Sequence, residues 1–537
     1  MLLMRGVPCQ ERCHYCNNFL NPLVKAKSLF GFDSFRKFDG LPLQETAVES
    51  ALHNKSLIAV FPTGGGKSFT YQLPALMRGD ATRSLTVVIS PLQSLMKDQV
   101  DNLQSKSINK AVALYGLLDP IERAKNIKRV SDGEVSVLYI APESLRSKTI
   151  ERLLHSRDIA RFVIDEAHCF STWGQDFRVD YLYIGDFIKN LQDKKQNNKQ
   201  IPVSCFTATA KQNVIKDIED YFADKLGLEM EKITSNSTRK NLTFKVYKVK
   251  DEAEKYSKLR TLINSNDTPT IIYASRTKKV DEIHHKLIQD QFNVSKFHGK
   301  METDEKIIEQ NNFMSGESKI MVATSAFGMG VDKEDVGMVI HFEISSSLEN
   351  YVQEAGRAGR KESIKADCYV LYNEEDLDSH FSLLNSTKLT INEIKQIWTG
   401  IKNNVYVNKT ITKSALEIAK DAGWEDNVRN LETRVRTAIA ALEDAGYLKR
   451  GLNSPRVFAD GILSKNQDEA AKKIEDSKLF DAKEKEIAKR ITKNLISNKF
   501  RKRSPAEESE ARVDYLADVL GLELKTVIAI IDKLREE

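Results

Sequence analysis

From about residue 55 to residue 372 the chain repeats one pattern, a short apolar run rich in β-branched residues followed by a longer amphipathic stretch. The runs are Leu57–Phe61, Leu85–Ser90, Val135–Ala141, Phe162–Asp165 and Val203–Thr207, then Thr270–Ser275, Lys319–Thr324, Val336–Phe342 and Asp367–Tyr372. Strands that are apolar on both faces must be covered on both faces, so the pattern predicts parallel sheets flanked by helices, an α/β fold. The rhythm lapses between Leu228 and Val246, where the polar stretch Thr234–Asn241 precedes a new strand at Phe244–Val249. Two α/β lobes joined by a short linker, with a cleft between them, are expected.

After Tyr372 the strands stop. Helices are expected at Ala415–Ala422 and Asn430–Ala445, the second with Leu431, Val435, Ile439 and Leu442 on one face. A turn at Asn453-Ser454-Pro455 and a short strand at Arg456–Ala459 complete the outline of a winged helix, helix-turn-helix and then a hairpin. A second pair, Val513–Leu520 and Leu524–Arg535 around Gly521, repeats that start and stops after its second helix, as a piece of a longer protein would. The expected division is a cysteine-containing segment at 1–25, lobes at 26–232 and 233–385, a winged-helix-like domain at 386–462 and a basic helical segment at 463–537.

A chain of 537 residues, 41% hydrophobic and 29% charged, has the length and composition for several buried cores and excludes a lone small binding module. No stretch approaches the roughly 20 apolar residues of a membrane span, and Arg5, Glu11 and Arg12 interrupt the only apolar start, so a cytoplasmic protein, nucleoid-associated if bacterial, is expected. Net charge is only +5, so a polyanion-binding surface has to come from local clustering. Lys483 to Arg503 supplies such a cluster, nine basic residues against two acids, which suits either a solvated helix face or the backbone of duplex DNA.

Phe61-Pro62-Thr63-Gly64-Gly65-Gly66-Lys67-Ser68 follows the first strand and opens a helix, the context of a phosphate loop. Thr63, Gly64, Gly65 and Gly66 let backbone N–H groups close on phosphates, Lys67 reaches the β/γ oxygens and Ser68 can ligate Mg²⁺. Phe61 stands where such loops begin with Gly. Ile164-Asp165-Glu166-Ala167-His168 ends another strand, placing Asp165 to hold Mg²⁺ and Glu166 to accept a proton from the attacking water, unless both are merely a solvated strand end.

These residues resemble the DEAH-type helicases of superfamily two and, within them, the RecQ DNA helicases. The resemblance runs from about Phe30 to Tyr372 through Phe61–Ser68, Ser90–Gln99, Asp165–His168, Thr207–Ala210, Ala323–Lys333 and Gln353–Arg360, in that order. It implies two tandem RecA-like lobes, ATP and Mg²⁺ as cofactors, single-stranded and duplex DNA as partners, and travel from 3′ to 5′. A DNA translocase, an RNA helicase or a nucleic-acid binder with an inactive motor would use the same lobes. The RecQ assignment rests on Cys169–Arg178, similar to an aromatic-rich loop in which Phe170, Trp173 and Phe177 offer faces to bases and Arg178 meets a phosphate. The family usually has His where Gln175 stands. The resemblance also implies an arginine finger at Arg360, with Arg357 beside it on adjacent positions of a helix, a ribose contact at Asp332, and DNA-backbone contacts at Ser275, Arg276 and Thr324. Phe32, Phe35 and Arg36 resemble the start of an adenine-recognition motif with Gln44 as its amide, but seven residues, Lys37–Leu43, separate Arg36 from Gln44 where about two are usual.

A four-cysteine zinc module commonly follows the second lobe in this family, yet the last cysteine here is Cys368. Cys9, Cys13 and Cys16 instead stand near the N-terminus, where they could bind Zn²⁺ with His14 or remain plain thiols.

Overall fold

The computed structural model describes residue 13 and residues 20–536 except 92, 116, 117, 119, 171–178, 196–199, 209–211, 236–238, 328–332, 362, 378–388, 404–410, 412, 425–430, 452–455, 459–463, 465, 500–509, 513–519, 521 and 523. The chain divides into two units, Met1–Lys388 and Leu389–Glu537.

The first unit holds both α/β lobes. Seven strands, β1 (Ser56–Val60), β2 (Leu85–Ile89), β3 (Ala111–Leu114), β4 (Val137–Ile140), β5 (Ile159–Ile164), β6 (Val203–Thr207) and β7 (Met230–Thr234), form a sheet in the order β3-β4-β2-β5-β6-β1-β7. A second sheet has the order β10-β11-β9-β12-β13-β8, from β8 (Leu242–Lys248), β9 (Thr270–Tyr273), β10 (Val294–Phe297), β11 (Ile320–Ala323), β12 (Met338–His341) and β13 (Ala366–Tyr372). Neighbouring strands in both sheets run parallel. The two tandem RecA-like lobes expected from the resemblance are present, and the central strands β1, β2, β4, β5 and β6 carry apolar cores on both faces of their sheet.

Register sets where chemistry can occur. Val60 pairs with Thr207, so β1 and β6 end level, and Ile164 pairs with Cys205, so β5 ends two residues short of them at the same edge. Phe61–Lys67, Asp165 and Thr207 therefore emerge together at the carboxyl edge of the sheet, where open parallel sheets bind ligands. The first lobe extends slightly further than expected: β7 pairs with β1 as far as Thr234, and β8 begins two residues earlier than Phe244.

The second unit contains two helical cores. Helices Ile391–Asn403, Ala415–Asp421 and Leu431–Asp444 bury Ile397, Ile401, Ile418, Leu431, Val435 and Leu442 together, with Ile439 packed at the margin, as the helical periodicity implies. Helices Gln467–Asp476, Ala482–Lys499 and Leu524–Glu536 enclose Ile474, Phe480, Ile491, Val527 and Ile531. The hairpin expected after residue 455 is corrected: Arg456–Phe458 pairs antiparallel with Glu510–Arg512, a strand more than fifty residues away that is too short and polar to show in the sequence. Among the described residues, no helix is long and apolar enough to cross a membrane.

Candidate active site

Gly64 and Gly66 both adopt left-handed backbone, with φ of 76° and 78°, which a side chain would strain. The helix Lys67–Thr82 begins directly after them, and no side-chain hydrogen bond from the described residues caps its first turn. Helix amides and a left-handed loop facing the same point make an anion cradle. Thr63 Oγ1 is buried there without a hydrogen-bond partner among the described residues, a polar atom a bound phosphate would satisfy.

The loop's unusual first residue has a structural cause. Phe61 is fully buried and stacks on Phe38, ring centroids 4.9 Å apart and planes 17° apart. Phe38 comes from the extra residues between Arg36 and Gln44, which fold into a two-residue hairpin: Phe38 and Leu41 exchange backbone hydrogen bonds at 2.9 Å, and Asp39 and Gly40 both have positive φ. The insertion and the lost glycine are thus two halves of one contact.

That segment also corrects one expectation. Gln44 is buried; its Oε1 accepts from the Arg36 backbone N–H at 2.8 Å, and its Nε2 faces the Gly65 and Gly66 carbonyls at 3.4 Å. The Arg36 guanidinium donates to the Gly64 carbonyl. Both side chains hold the phosphate loop; the buried Gln44 amide is taken up by these contacts and does not stand open to a base as an adenine reader must, whereas Arg36 is exposed beside the loop. Phe32 and Phe35 pack on Phe69 of the loop's own helix, fastening the segment to it.

Asp165 and Glu166 lie buried at the end of β5. Asp165 Oδ1 accepts from the Glu166 N–H at 3.0 Å, and Tyr181 donates to the Asp165 carbonyl. Glu166 has a φ of 48°, strained for a residue with a side chain, as functional positions often are. Burial and the adjacent Glu166 charge push Asp165 upward against the pull of Lys67. Burial opposes Glu166 as well, but Lys67, His168 and Arg357 outweigh it and hold this carboxyl ionised. A buried acid squeezed upward by a neighbouring carboxylate is a group that a divalent cation would relieve, so Asp165, with Ser68 at the start of the helix, fits a Mg²⁺ ion. His168 lies 3.3 Å from Glu166 Oε2 and 3.0 Å from Thr207 Oγ1. Burial works against its charge, but Cys169 and Glu166 prevail and raise it to about 10.

The second lobe closes on this edge. Gln353 Nε2 donates to Glu166 Oε1 across 3.3 Å. A Cβ at Gly356 would stand 2.9 Å from Thr63 Cβ, and one at Gly64 would stand 3.8 Å from Arg360 Cγ. The helix expected to carry both arginines ends earlier, at Ala355, so Arg357 and Arg360 sit in the irregular turn beyond it, where Gly359 takes a φ of 56°. Arg357 is buried against Tyr273, its charge disfavoured by burial and by Arg360 and eased by the Tyr273 hydroxyl. Arg239, passed over in the sequence as part of a polar linker, bonds both the phosphate loop and this turn.

Several DNA-contact residues stand differently from expectation. Phe170 is corrected to core: it is 4% exposed, with ring centroids 5.3, 4.8 and 5.3 Å from Tyr181, Tyr221 and Phe222. Ser275 donates its N–H and its hydroxyl to Glu343 Oε2 at 2.7 and 2.6 Å, and Arg276 Nη2 lies 3.7 Å from the same carboxylate. A phosphate at Ser275 would have to displace an acidic side chain, whereas the Arg276 side chain is half-exposed. Thr324 is buried at the end of β11, its N–H bonded to the Phe297 carbonyl. Trp173, Phe177, Arg178 and Asp332 lie outside the described residues, as do Cys9 and Cys16. Cys13 is half-buried and not in a disulfide, and no group of three metal-ligating side chains occurs among the described residues.

A phosphate cradle, a carboxylate pair and arginines facing them from a second parallel-sheet lobe define the helicase class of nucleotide-driven proteins. Family models agree, with a DEAD/DEAH box helicase domain matching residues 41–218 and a helicase conserved C-terminal domain matching 254–362. Among solved structures, the DUF1998 helicase MrfA bound to DNA and AMPPNP aligns over 67% of this chain and 52% of its own, with a TM-score of 0.54 at 18% identity. Mss116p bound to single-stranded RNA and AMP-PNP aligns over 80% and 90%, with a TM-score of 0.54 at 16% identity. Curated relatives narrow the class. A putative ATP-dependent DNA helicase Q1 of Caenorhabditis briggsae is 31% identical over 88% of this chain and 74% of its own length. The ATP-dependent DNA helicase RecQ of Bacillus subtilis is 37% identical over 66% of this chain, and hus2/rqh1 of Schizosaccharomyces pombe is 39% identical over 65%. This chain belongs to the RecQ family of ATP-dependent DNA helicases. It spans 57% of the length of the Bacillus protein and 26% of the Schizosaccharomyces one.

Proposed function

We propose that this chain is an ATP-dependent DNA helicase that moves along single-stranded DNA from 3′ to 5′ and separates duplex. The observation that carries the reading is the convergence of Lys67, Asp165 and Glu166 of one lobe with Gln353, Arg357 and Arg360 of the other at a single phosphate loop.

In this reading the loop amides and Lys67 bind the β- and γ-phosphates of ATP, and Gln353 fixes the Glu166 carboxylate. Glu166 accepts the proton of the attacking water, while Arg360, over Gly64, and Arg357 behind it offset charge that develops on the γ-phosphoryl group. Ser68 and Asp165 would hold a Mg²⁺ ion bound with the nucleotide, which would supply Lewis-acid charge to the reaction. Loss of the γ-phosphate removes what the two lobes share, so the cleft opens and the strand advances. Stacking by Trp173 and Phe177 and a phosphate contact by Arg178 couple single-stranded DNA to the acids. The basic Lys483–Arg503 stretch engages duplex. Zinc at Cys9, Cys13 and Cys16 rests on their spacing.

The test is strand separation of duplexes carrying a 3′ or a 5′ single-stranded tail, with ATP and Mg²⁺. Separation of the 3′-tailed duplex, lost in Glu166→Gln, is expected. Separation of RNA duplexes alone, or none, would overturn the reading.

A further inference from the structure

We propose that Arg239 is a positioning residue of the hydrolytic cycle, a guanidinium fork that fastens the arginine-bearing turn of the second lobe to the phosphate loop of the first. The proposal rests on the nucleotide-hydrolysis reading above. Arg239 lies in the linker between β7 and β8, outside every motif that carries the family resemblance. Its Nη1 donates to the Thr63 carbonyl at 3.1 Å and faces the Gly356 carbonyl at 3.4 Å. Its Nη2 donates to the Ala358 carbonyl at 3.1 Å and also to that of Gly359. One side chain thus gathers three carbonyls of the segment 356–359, which encloses Arg357 and precedes Arg360, and one carbonyl of the phosphate loop.

The fork is itself held in place. Arg239 Nε donates to Asn241 Oδ1 at 3.2 Å, and Asn241 Nδ2 donates to the Gly359 and Ile364 carbonyls at 2.7 and 2.8 Å. A Cβ at Gly64 would lie 3.7 Å from Arg239 Nη1, nearly as close as to Arg360, so Arg239 and Arg360 flank the same glycine of the loop. Asn241 and three of the four carbonyls belong to the second-lobe side. Opening of the cleft therefore breaks the Thr63 bond and leaves the guanidinium with the second lobe; closure remakes it. The bond forms only when the arginine turn is in register with the phosphate loop, and this sets the position from which Arg360 meets the γ-phosphate. A planar five-donor fork is required, since a lysine ammonium offers three donors from a point and cannot span carbonyls on both sides.

The experiment uses the full chain with Arg239→Ala and Arg239→Lys. Steady-state ATP hydrolysis at saturating single-stranded DNA is expected to lose about 10–100-fold in kcat in both variants, the scale of a misplaced catalytic group. KM for ATP should move by less than about threefold, because the binding groups on the first lobe are untouched. Without nucleotide or DNA, hydrogen exchange should quicken in the 356–359 segment of Arg239→Ala and not in the strands of the second sheet. In the wild type these amides are protected by bonds such as Gly359 N–H to the Val336 carbonyl at 2.8 Å. Wild-type kcat in Arg239→Ala, rescue by Arg239→Lys, or unchanged exchange at 356–359 would overturn the proposal. A depressed melting temperature with all activities lowered in proportion would do so as well. Were the wild type itself unable to hydrolyse ATP, the reading above would fail, and the exchange measurement would still decide whether Arg239 fastens the turn.

Discussion

Gln353 in the second lobe holds Glu166 in the first at 3.3 Å, so the carboxylate assigned to the attacking water is oriented from across the cleft. Glu166→Gln should still bind ATP yet hydrolyse it about 10²–10⁴-fold more slowly, the usual contribution of a general base. Gln353→Ala should reduce kcat less and leave ATP binding intact, whereas Lys67→Ala should abolish turnover. Single-turnover hydrolysis beside equilibrium binding of a fluorescent ATP analogue separates these effects; near wild-type turnover by Glu166→Gln would remove it as the base.

The Phe38–Phe61 stack predicts a coupled pair. Phe38→Ala should lower the melting temperature, since emptying a buried phenylalanine site costs about 3–5 kcal/mol, and should raise KM for ATP by loosening the phosphate loop. In a double-mutant cycle with Phe61→Ala, the two changes should fall short of additive by about 0.5–1.5 kcal/mol, the range for an aromatic pair. Strict additivity in chemical denaturation would show that the two departures are independent.

Asp98, on the helix Gln93–Ser105, is pushed up to about 7 by burial and by the neighbouring Asp101 charge, with Lys97 opposing. Its folded pKa exceeds the ordinary carboxylate value, so the folded state binds the extra proton and this group's contribution to stability falls as pH rises from about 4 to about 7. Asp98→Asn should accordingly raise the melting temperature at pH 8 and have little effect at pH 4 to 5. Melting curves across that range check the sign; a benefit that is constant with pH would exclude the titration of Asp98 as its cause.

Cysteine-bound zinc would be released stoichiometrically by a mercurial reagent and detected with a metallochromic dye. The expected yield is close to one equivalent, falling to background in Cys13→Ser. Less than about a tenth of an equivalent from the wild type would leave Cys9, Cys13 and Cys16 as thiols.

The strands that could be read from sequence are chiefly the central ones. β1, β2, β4, β5 and β6 are buried on both faces and appear as largely apolar runs, whereas β3, β7 and β10 lie at sheet edges and do not stand out in the sequence. Met-Glu-Lys-Ile-Thr of β7 and Val-Ser-Lys-Phe of β10 carry polar residues because one flank meets water. The Asp39-Gly40 turn was legible in principle, since Asp-Gly between apolar residues is a hairpin signal. Lys67, Asp165 and Glu166 were found because phosphate chemistry demands particular residues at particular strand ends. Arg239 was not, because its partners are backbone carbonyls, which leave no trace in the pattern of side chains. Phe170 misled for the opposite reason: an aromatic beside a catalytic acid serves a core as readily as a nucleic acid.

The central claim is that single-stranded DNA drives ATP turnover at the site shared by the two lobes. Steady-state phosphate release by the full chain, measured without nucleic acid, with single-stranded DNA and with RNA of the same sequence, tests it most directly. The account predicts low basal turnover, a rise of at least about tenfold with DNA, far less with RNA, and no turnover in Lys67→Ala under any condition. Turnover indifferent to DNA, or an undiminished rate in Lys67→Ala, would contradict it.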